Sequence, residues 1–146
     1  MKLNLTNLDQ LDFSKGDGLL PVIVQHARSG KVLMQGFANK EALQKSLETG
    51  DVTFFSRSKN RLWTKGESSG HTLKLQSMAA DCDQDSILAL ALPIGPTCHV
   101  GTESCWHESD ANQPDLAFLD QLEQVIHSRF GADPSSVSYT HLTLPT

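Results

Sequence analysis

No stretch of the 146-residue chain stays apolar for the roughly 20 residues that a membrane-spanning helix requires. The opening Met1-Lys2-Leu3-Asn4-Leu5-Thr6 lacks the apolar core of a secretory signal, so the expected compartment is cytoplasmic. Basic residues are outnumbered: 12 Lys and Arg against 17 Asp and Glu leave a formal charge of −5. Bulk nucleic-acid binding needs the opposite balance. Neither a membrane nor a nucleic acid is therefore an expected partner. Cysteine is scarce, and its odd count of three disfavours a closed set of disulfides, leaving reduced thiols available as ligands. The chain has no internal repeat and no low-complexity segment. Hydrophobic residues, at 38%, are lean for a globular chain but above the disordered range. The length suits one ordinary domain with a short appendage.

The first two thirds read as short strands around one helix. Leu19 to His26 is apolar and β-branched, Arg28-Ser29-Gly30-Lys31 signals a turn, and Val32 to Phe37 reads as the returning strand. Asn39 is a credible N-cap for a helix over Lys40 to Glu48, with Ala42, Leu43 and Leu47 inward and Gly50 as its stop. Val52 to Phe55 and Leu62 to Thr64 read as strands flanking the polar segment Ser56 to Arg61. Ser68-Ser69-Gly70 is a further turn before the alternating Thr72 to Gln76, and Ser86 to Ile94 is a continuous apolar strand ended by Gly95-Pro96. Beyond a polar, linker-like stretch at Glu108 to Pro114, Leu116, Leu119, Leu122 and Ile126 recur at helical spacing, widened by Phe118 and Val125. Gly131 and Asp133-Pro134 end that helix. Little chain remains for its apolar face to pack against.

All three cysteines fall between residues 82 and 105, interleaved with carboxylates. In an extended chain Asp81, Asp83 and Asp85 share one face while Cys82 projects to the other. Three adjacent carboxylates repel one another, and a hard divalent cation relieves that repulsion. The EF-hand loop, which also begins D-x-D-x-D, fails here: Ser86 replaces the turn glycine and Leu92 stands where the bidentate glutamate belongs. A solvated acidic turn is the plain alternative. Cys98 and Cys105 lie seven apart, unlike the C-x-x-C of a zinc ribbon. Three thiolates suit zinc with an open fourth position, but Cys82 must come from another strand or another subunit. Catalytic zinc, structural zinc completed by His99 or His107, and three ordinary buried thiols all remain open on spacing alone. His99, beside a candidate ligand, has the intrinsic pKa of a general base. His26, His71 and His107 are weaker candidates for that role. Arg57, Lys59, Arg61 and Lys65 form a local basic stripe beside Trp63, and extended geometry aligns the first three. Such a stripe in an acidic protein suits a small anion such as phosphate, or a solvated hairpin tip. Lys65-Gly66-Glu67-Ser68-Ser69-Gly70 adds glycines and hydroxyls able to wrap a phosphate, without the spacing of a Walker loop.

Met34 to Leu43, Phe55-Ser56-Arg57-Ser58, Leu62 to Gly70, Asp81-Cys82-Asp83-Gln84-Asp85 and Gly95-Pro96-Thr97-Cys98-His99 through Ser104-Cys105 occur in order, over about residues 15 to 108. Taken together they resemble the phosphoribosyl-AMP cyclohydrolase family of histidine biosynthesis. The resemblance implies a β-rich α+β fold, a small curled mixed sheet with one or two helices, working as an obligate homodimer. It implies Zn2+ on Cys82, Cys98 and Cys105, one per subunit and shared across the dimer, and Mg2+ on Asp81, Asp83 and Asp85. The implied reaction opens the adenine ring of phosphoribosyl-AMP by water attack at C6 and cleavage of N1–C6. In that setting His99 is the proton-transfer residue, and Arg57, Lys59, Arg61, Trp63, Lys65, Glu67 and Ser69 are the substrate-binding set. A zinc-stabilised, non-catalytic nucleotide-binding module is the rival from another class. Residues 1–110 then form the cyclohydrolase domain and 111–114 a linker. Residues 115–137 resemble the first helix of phosphoribosyl-ATP pyrophosphohydrolase, an incomplete all-α domain, with 138–146 a tail outside the family pattern. Pyrophosphohydrolase activity is not expected without that domain's acidic helices.

Overall fold

Two periodicities govern the architecture: apolar residues at every second position in the strands, and one apolar stripe on the main helix. The computed structural model describes residues 1–107 and 117–130. Its strands are β1 (Leu20–His26), β2 (Val32–Ala38), β3 (Thr53–Ser56), β4 (Arg61–Thr64), β5 (Leu73–Ala80) and β6 (Ile87–Pro93). The helices are α1 (Lys40–Thr49) and α2 (Ala117–Arg129). The fold is α+β. A four-stranded mixed sheet runs in the order β2-β1-β6-β5, and β3 and β4 form a separate two-stranded hairpin. β6 lies parallel to β1 and antiparallel to β5, so it is hydrogen-bonded on both sides.

The sheet's inner face supplies Val22, Val24, Leu33, Leu73, Met78, Ile87, Ala89 and Ala91, which pack with Ala42 and Leu43 of α1 and with Val52 and Phe54 near the hairpin. Leu3, Leu8 and Leu11 of the N-terminal segment close one end of this core. Both sheet edges are covered, which removes the exposed ladders that invite edge-to-edge pairing. On the β5 side, Leu3 N–H donates to Met78 O and Ala80 N–H to Met1 O, each at 2.8 Å. On the β2 side, Cys105 N–H donates to Leu33 O at 2.9 Å and Ser104 Oγ to Val32 O at 2.7 Å.

α1 begins and ends where its sequence signals place it. Asn39 accepts a hydrogen bond from Ala42 N–H at 2.8 Å, and Gly50 adopts the left-handed conformation that closes the C-terminus. Its inward face also carries a residue that periodicity does not reveal. Ser46 is fully buried; its hydroxyl donates to Ala42 O and accepts from Thr53 N–H, fastening α1 to the start of β3. The basic stripe is not extended: residues 57–60 are a turn between β3 and β4. Asn60 there takes a left-handed φ of 49°. α2 covers part of the expected 115–137 helix, and an Arg28–Glu123 ion pair joins it to the β1–β2 turn. Its Ile126 remains 51% exposed. The expected linker at 111–114, the helix ends at Gly131 and Asp133-Pro134, and the 138–146 tail lie outside the described residues. Among the described residues no helix is long and apolar enough to cross a membrane.

Replacing Ser46 with Ala removes the acceptor for a buried Thr53 N–H and should cost about 1–3 kcal/mol. Urea denaturation will measure this as a lower midpoint at unchanged slope. An unaltered midpoint would show that the hydroxyl is dispensable to the α1–β3 junction.

Candidate active site

Glycine geometry builds a cleft at the end of the sheet where β6 finishes. Gly66 sits at φ +82°, and a Cβ there would come within 2.4 Å of the His71 carbonyl carbon. The 66–70 loop can therefore close tightly on the strand that follows, with Gly70 N–H donating to Gly66 O at 2.8 Å. Gly95, at φ +78°, turns the chain directly over the His71 ring. The resulting cleft has a volume of about 490 Å³ and is lined by Met34, Trp63, Lys65, Ser69 and His71, with residues 96–99, Gly101 and Cys105. In its wall, Thr97 Oγ1 is buried with no hydrogen-bond partner among the described residues.

Two of the three cysteines meet in this cleft. Cys98 and Cys105 both line it, close enough for each to shift the other's pKa. The Val100 backbone N–H holds the Cys98 thiol below its ordinary pKa, against the opposing effect of burial. The Thr102 hydroxyl, Cys105 and the His99 N–H add to the lowering. Burial first, then the neighbouring Cys98 charge and the bond to it, pushes Cys105 up, while the Lys65 ammonium partly offsets the rise. The two thiols stand together at the cleft, Cys98 buried and Cys105 exposed. That is a soft donor pair suited to zinc. His99 Nδ1 lies 4.0 Å from Cys98 Sγ, and the ring reaches the cleft.

Cys82 does not join them. It is exposed in the β5–β6 turn, whereas Cys98 follows the opposite end of β6. Seven strand residues separate the two ends, on the order of 20 Å. One chain cannot bring all three thiols to one ion.

The Asp81 to Asp85 segment corrects the extended-strand expectation. It is a turn, with Gln84 at φ 58°, and Asp81 Oδ1 accepts from the N–H groups of Asp85 and Ser86. Side-chain acceptance of backbone donors outcompetes strand geometry here, as is usual for aspartate. The carboxylates still converge: oxygens of Asp81, Asp83 and Asp85 all lie within 4.8 Å of one another. The Lys15 ammonium stands among them, 2.8 Å from Asp85 and 3.3 Å from Asp83. Hydrogen bonds to Asp85 and then Asp83 hold its pKa well above the ordinary lysine value. A cluster that attracts an ammonium in this way has the charge and oxygen donors for a divalent cation.

The proposed phosphate set separates into two groups. Trp63, Lys65 and Ser69 line the cleft, with Lys65 Nζ 3.4 Å from His71 O. Arg57 instead stacks over the Phe37 ring at 4.5 Å, and Lys59 is exposed at the hairpin tip. Arg61 pairs with Glu67 at 2.7 Å, and that contact lowers the Glu67 pKa. Arg57, Lys59, Arg61 and Glu67 do not line the cleft. Among the weaker histidine candidates, His26 is structural: its Nδ1 accepts from Arg28 and Ser29 N–H and shapes the β1–β2 turn. His71 does line the cleft. Sequence reasoning gave no sign of Lys15, whose partners lie 68 and 70 residues away.

A hydrolase family accounts for this arrangement of thiols, histidine and carboxylates on a mixed sheet. Residues 34–107 match the model of phosphoribosyl-AMP cyclohydrolase, about half of the chain, and the chain belongs to that family. It is similar to the histidine biosynthesis bifunctional protein HisIE of Vibrio cholerae, at 56% identity over 135 residues, covering 92% of this chain and 64% of the relative. The proteins of the same name from Salmonella typhimurium and Escherichia coli are each 60% identical over 131 residues, 90% of this chain and 63% of theirs. The chain therefore spans a little under two thirds of the length of these relatives.

The glycines give a stability test of the cleft. Gly66→Ala combines a left-handed φ with a backbone collision and should cost about 2–4 kcal/mol. Gly70→Ala, at a similar φ but with open space around it, should cost only about 1 kcal/mol. Equal losses in chemical denaturation would refute the tight 66–71 closure.

Proposed function

We propose that this chain hydrolyses the N1–C6 bond of phosphoribosyl-AMP as a homodimer that depends on zinc and magnesium. The carrying observation is the cleft itself. It gathers Cys98, Cys105 and His99 with Trp63, Lys65 and Ser69, while leaving Cys82 at the far end of β6. Family membership and the HisIE relatives support the substrate. A non-catalytic nucleotide-binding module has less support, because a binding pocket needs no paired thiols beside a histidine.

Cys98 and Cys105 would hold zinc together with Cys82 of a second copy, and Asp81, Asp83 and Asp85 would hold magnesium. Zinc at that position supplies the Lewis acidity that activates water at neutral pH. The chain's own groups do the rest. Trp63 offers an aromatic face to the purine, and Lys65 and Ser69 offer an ammonium and a hydroxyl to phosphate oxygens. Arg57, Lys59 and Arg61 remain candidates for the second phosphate from the hairpin side, and Glu67 fixes the direction of Arg61. His99 takes a proton from the attacking water and returns one to N1 as the N1–C6 bond breaks, leaving a carboxamide at C6.

The outer face of the sheet supports the dimer. Ile23 and Leu88 are paired in register across β1 and β6 and are 38% and 40% exposed. This apolar strip adjoins Ala79 and Asp81, so it ends at the turn that carries Cys82. Burial of such a strip by a second copy would bring a foreign Cys82 turn into the assembly. The same reading assigns residues 1–110 to the cyclohydrolase domain, 111–114 to a linker and 115–137 to the first helix of a following all-α domain.

Two inactive variants test shared sites. Cys82→Ser and Cys105→Ser chains should each fail to open phosphoribosyl-AMP when assayed alone. Mixed and reassembled, they should recover about a quarter of wild-type turnover, because half of the dimers hold one intact site of two. No recovery, despite mixed dimers verified by mass, would refute a site shared between subunits. Absence of turnover by the intact, zinc-loaded chain would refute the reaction.

A further inference from the structure

The acidic turn already holds a cation, and that cation belongs to the protein. Lys15 Nζ lies 2.8 Å from Asp85 Oδ2, 3.3 Å from Asp83 Oδ2 and 3.9 Å from Asp12 Oδ2. The contacts to Asp83 and Asp85 span 68 and 70 residues, so tertiary structure places the ammonium there. Backbone hydrogen bonds fix its approach. Asp12 N–H donates to Gln84 O at 2.8 Å, clamping the Lys15 loop onto the acidic turn. Asp12 Oδ1 accepts from Ser14 N–H at 3.0 Å, and Asp17 and Gly18, at φ 54° and 82°, redirect the chain towards β1. Lys15 lies in the short helical turn Ser14–Gly16 between these two constraints.

We propose that Lys15 sets the divalent-cation affinity of this turn: its ammonium occupies the cation position, and metal enters by exchanging with it. The proposal rests on the reading of Asp81, Asp83 and Asp85 as magnesium ligands. Two of those three carboxylates are the ones Lys15 touches. An ammonium and a divalent cation cannot share the same oxygens without strong like-charge repulsion, so one must leave. Lysine is suited to leave, because its charge sits on a flexible stem that is half exposed here. While it stays, it neutralises carboxylates that would otherwise repel one another and open the turn. Exposed ion pairs are individually weak, so Lys15 moderates affinity without blocking the site.

The test is a titration of the full chain with Mn2+ at low salt, with free ion read by electron paramagnetic resonance. Lys15→Met should bind Mn2+ several-fold, up to about tenfold, more tightly than wild type. Lys15→Arg, which keeps the charge, should stay near wild type, and added salt should shrink the difference. In the unsubstituted chain, acylation of Lys15 by an acid anhydride, read by mass spectrometry, should rise as Mn2+ releases the amine. This second measurement decides the matter even where Lys15→Met fails to fold. Equal or weaker Mn2+ binding by a folded Lys15→Met, or Lys15 acylation indifferent to Mn2+, overturns the exchange. The magnesium reading survives those results if Asp83→Asn with Asp85→Asn abolishes Mn2+ binding. If neither wild type nor Lys15→Met binds Mn2+, or the double Asn substitution leaves binding unchanged, the carboxylates are not a metal site and both readings fall.

Discussion

β6 cannot slide. It is hydrogen-bonded to β1 in parallel and to β5 in antiparallel register, so a one-residue shift would break two ladders and expose Ile87, Ala89 and Ala91. This rigidity fixes the distance between the two chemical ends of the molecule. The carboxylate turn with Cys82 precedes β6, and the thiol cleft with Cys98 and Cys105 follows it. No side-chain rotation closes a gap on the order of 20 Å. The separation keeps Cys82 away from Cys98 and Cys105 within one chain, which is the observation behind the proposal of a site completed by a second copy.

The composition of β6 points the same way. Strands whose residues are apolar on both faces are normally covered on both faces. Here the inner face packs against α1 and the β3–β4 hairpin, while Leu88 on the outer face is 40% exposed opposite Ile23. A strand apolar on both faces but covered on one side supports the proposal of a second copy. That apolar strip ends beside the turn whose cysteine stands apart from the other two thiols.

Much of this frame was legible in the residues. Asn39 and Gly50 bracket α1 because capping is a local matter of one side chain and one φ angle. The hairpin around residues 57–60 and the strand ending at Gly95-Pro96 follow from equally local signals. What escaped depends on partners far away or on competition between local forces. Ser46 sits on a helix face where periodicity expects an apolar residue, and its burial makes sense only once Thr53 N–H needs an acceptor. The Asp81 to Asp85 segment satisfies a strand's alternation as written, yet Asp81 captures two backbone N–H groups and folds it into a turn. The carboxylates converge either way, so the metal-like reading survived an incorrect geometry. Cys98 and Cys105 were visible as a pair, but their opposed pKa shifts arise from backbone N–H groups and burial that no spacing encodes.

The basic side chains of this acidic protein differ in what already holds them. Arg61 is held by Glu67, Arg57 lies over Phe37, and Lys15 is engaged with Asp85 and Asp83. Lys65 differs: among the described residues its ammonium has a carbonyl at 3.4 Å as its hydrogen-bond acceptor, and it lowers the cost of charge on Cys105. A cation whose nearest acceptor is a neutral carbonyl retains more capacity for an incoming anion than one committed to a carboxylate. Of the four basic residues of the 57–65 segment, Lys65 is the one that lines the cleft, which is why the proposed function gives it a phosphate. The stripe that looks uniform in sequence is divided in the fold: Arg61 is paired with a carboxylate, while Lys65 lines the cleft beside Cys98 and Cys105.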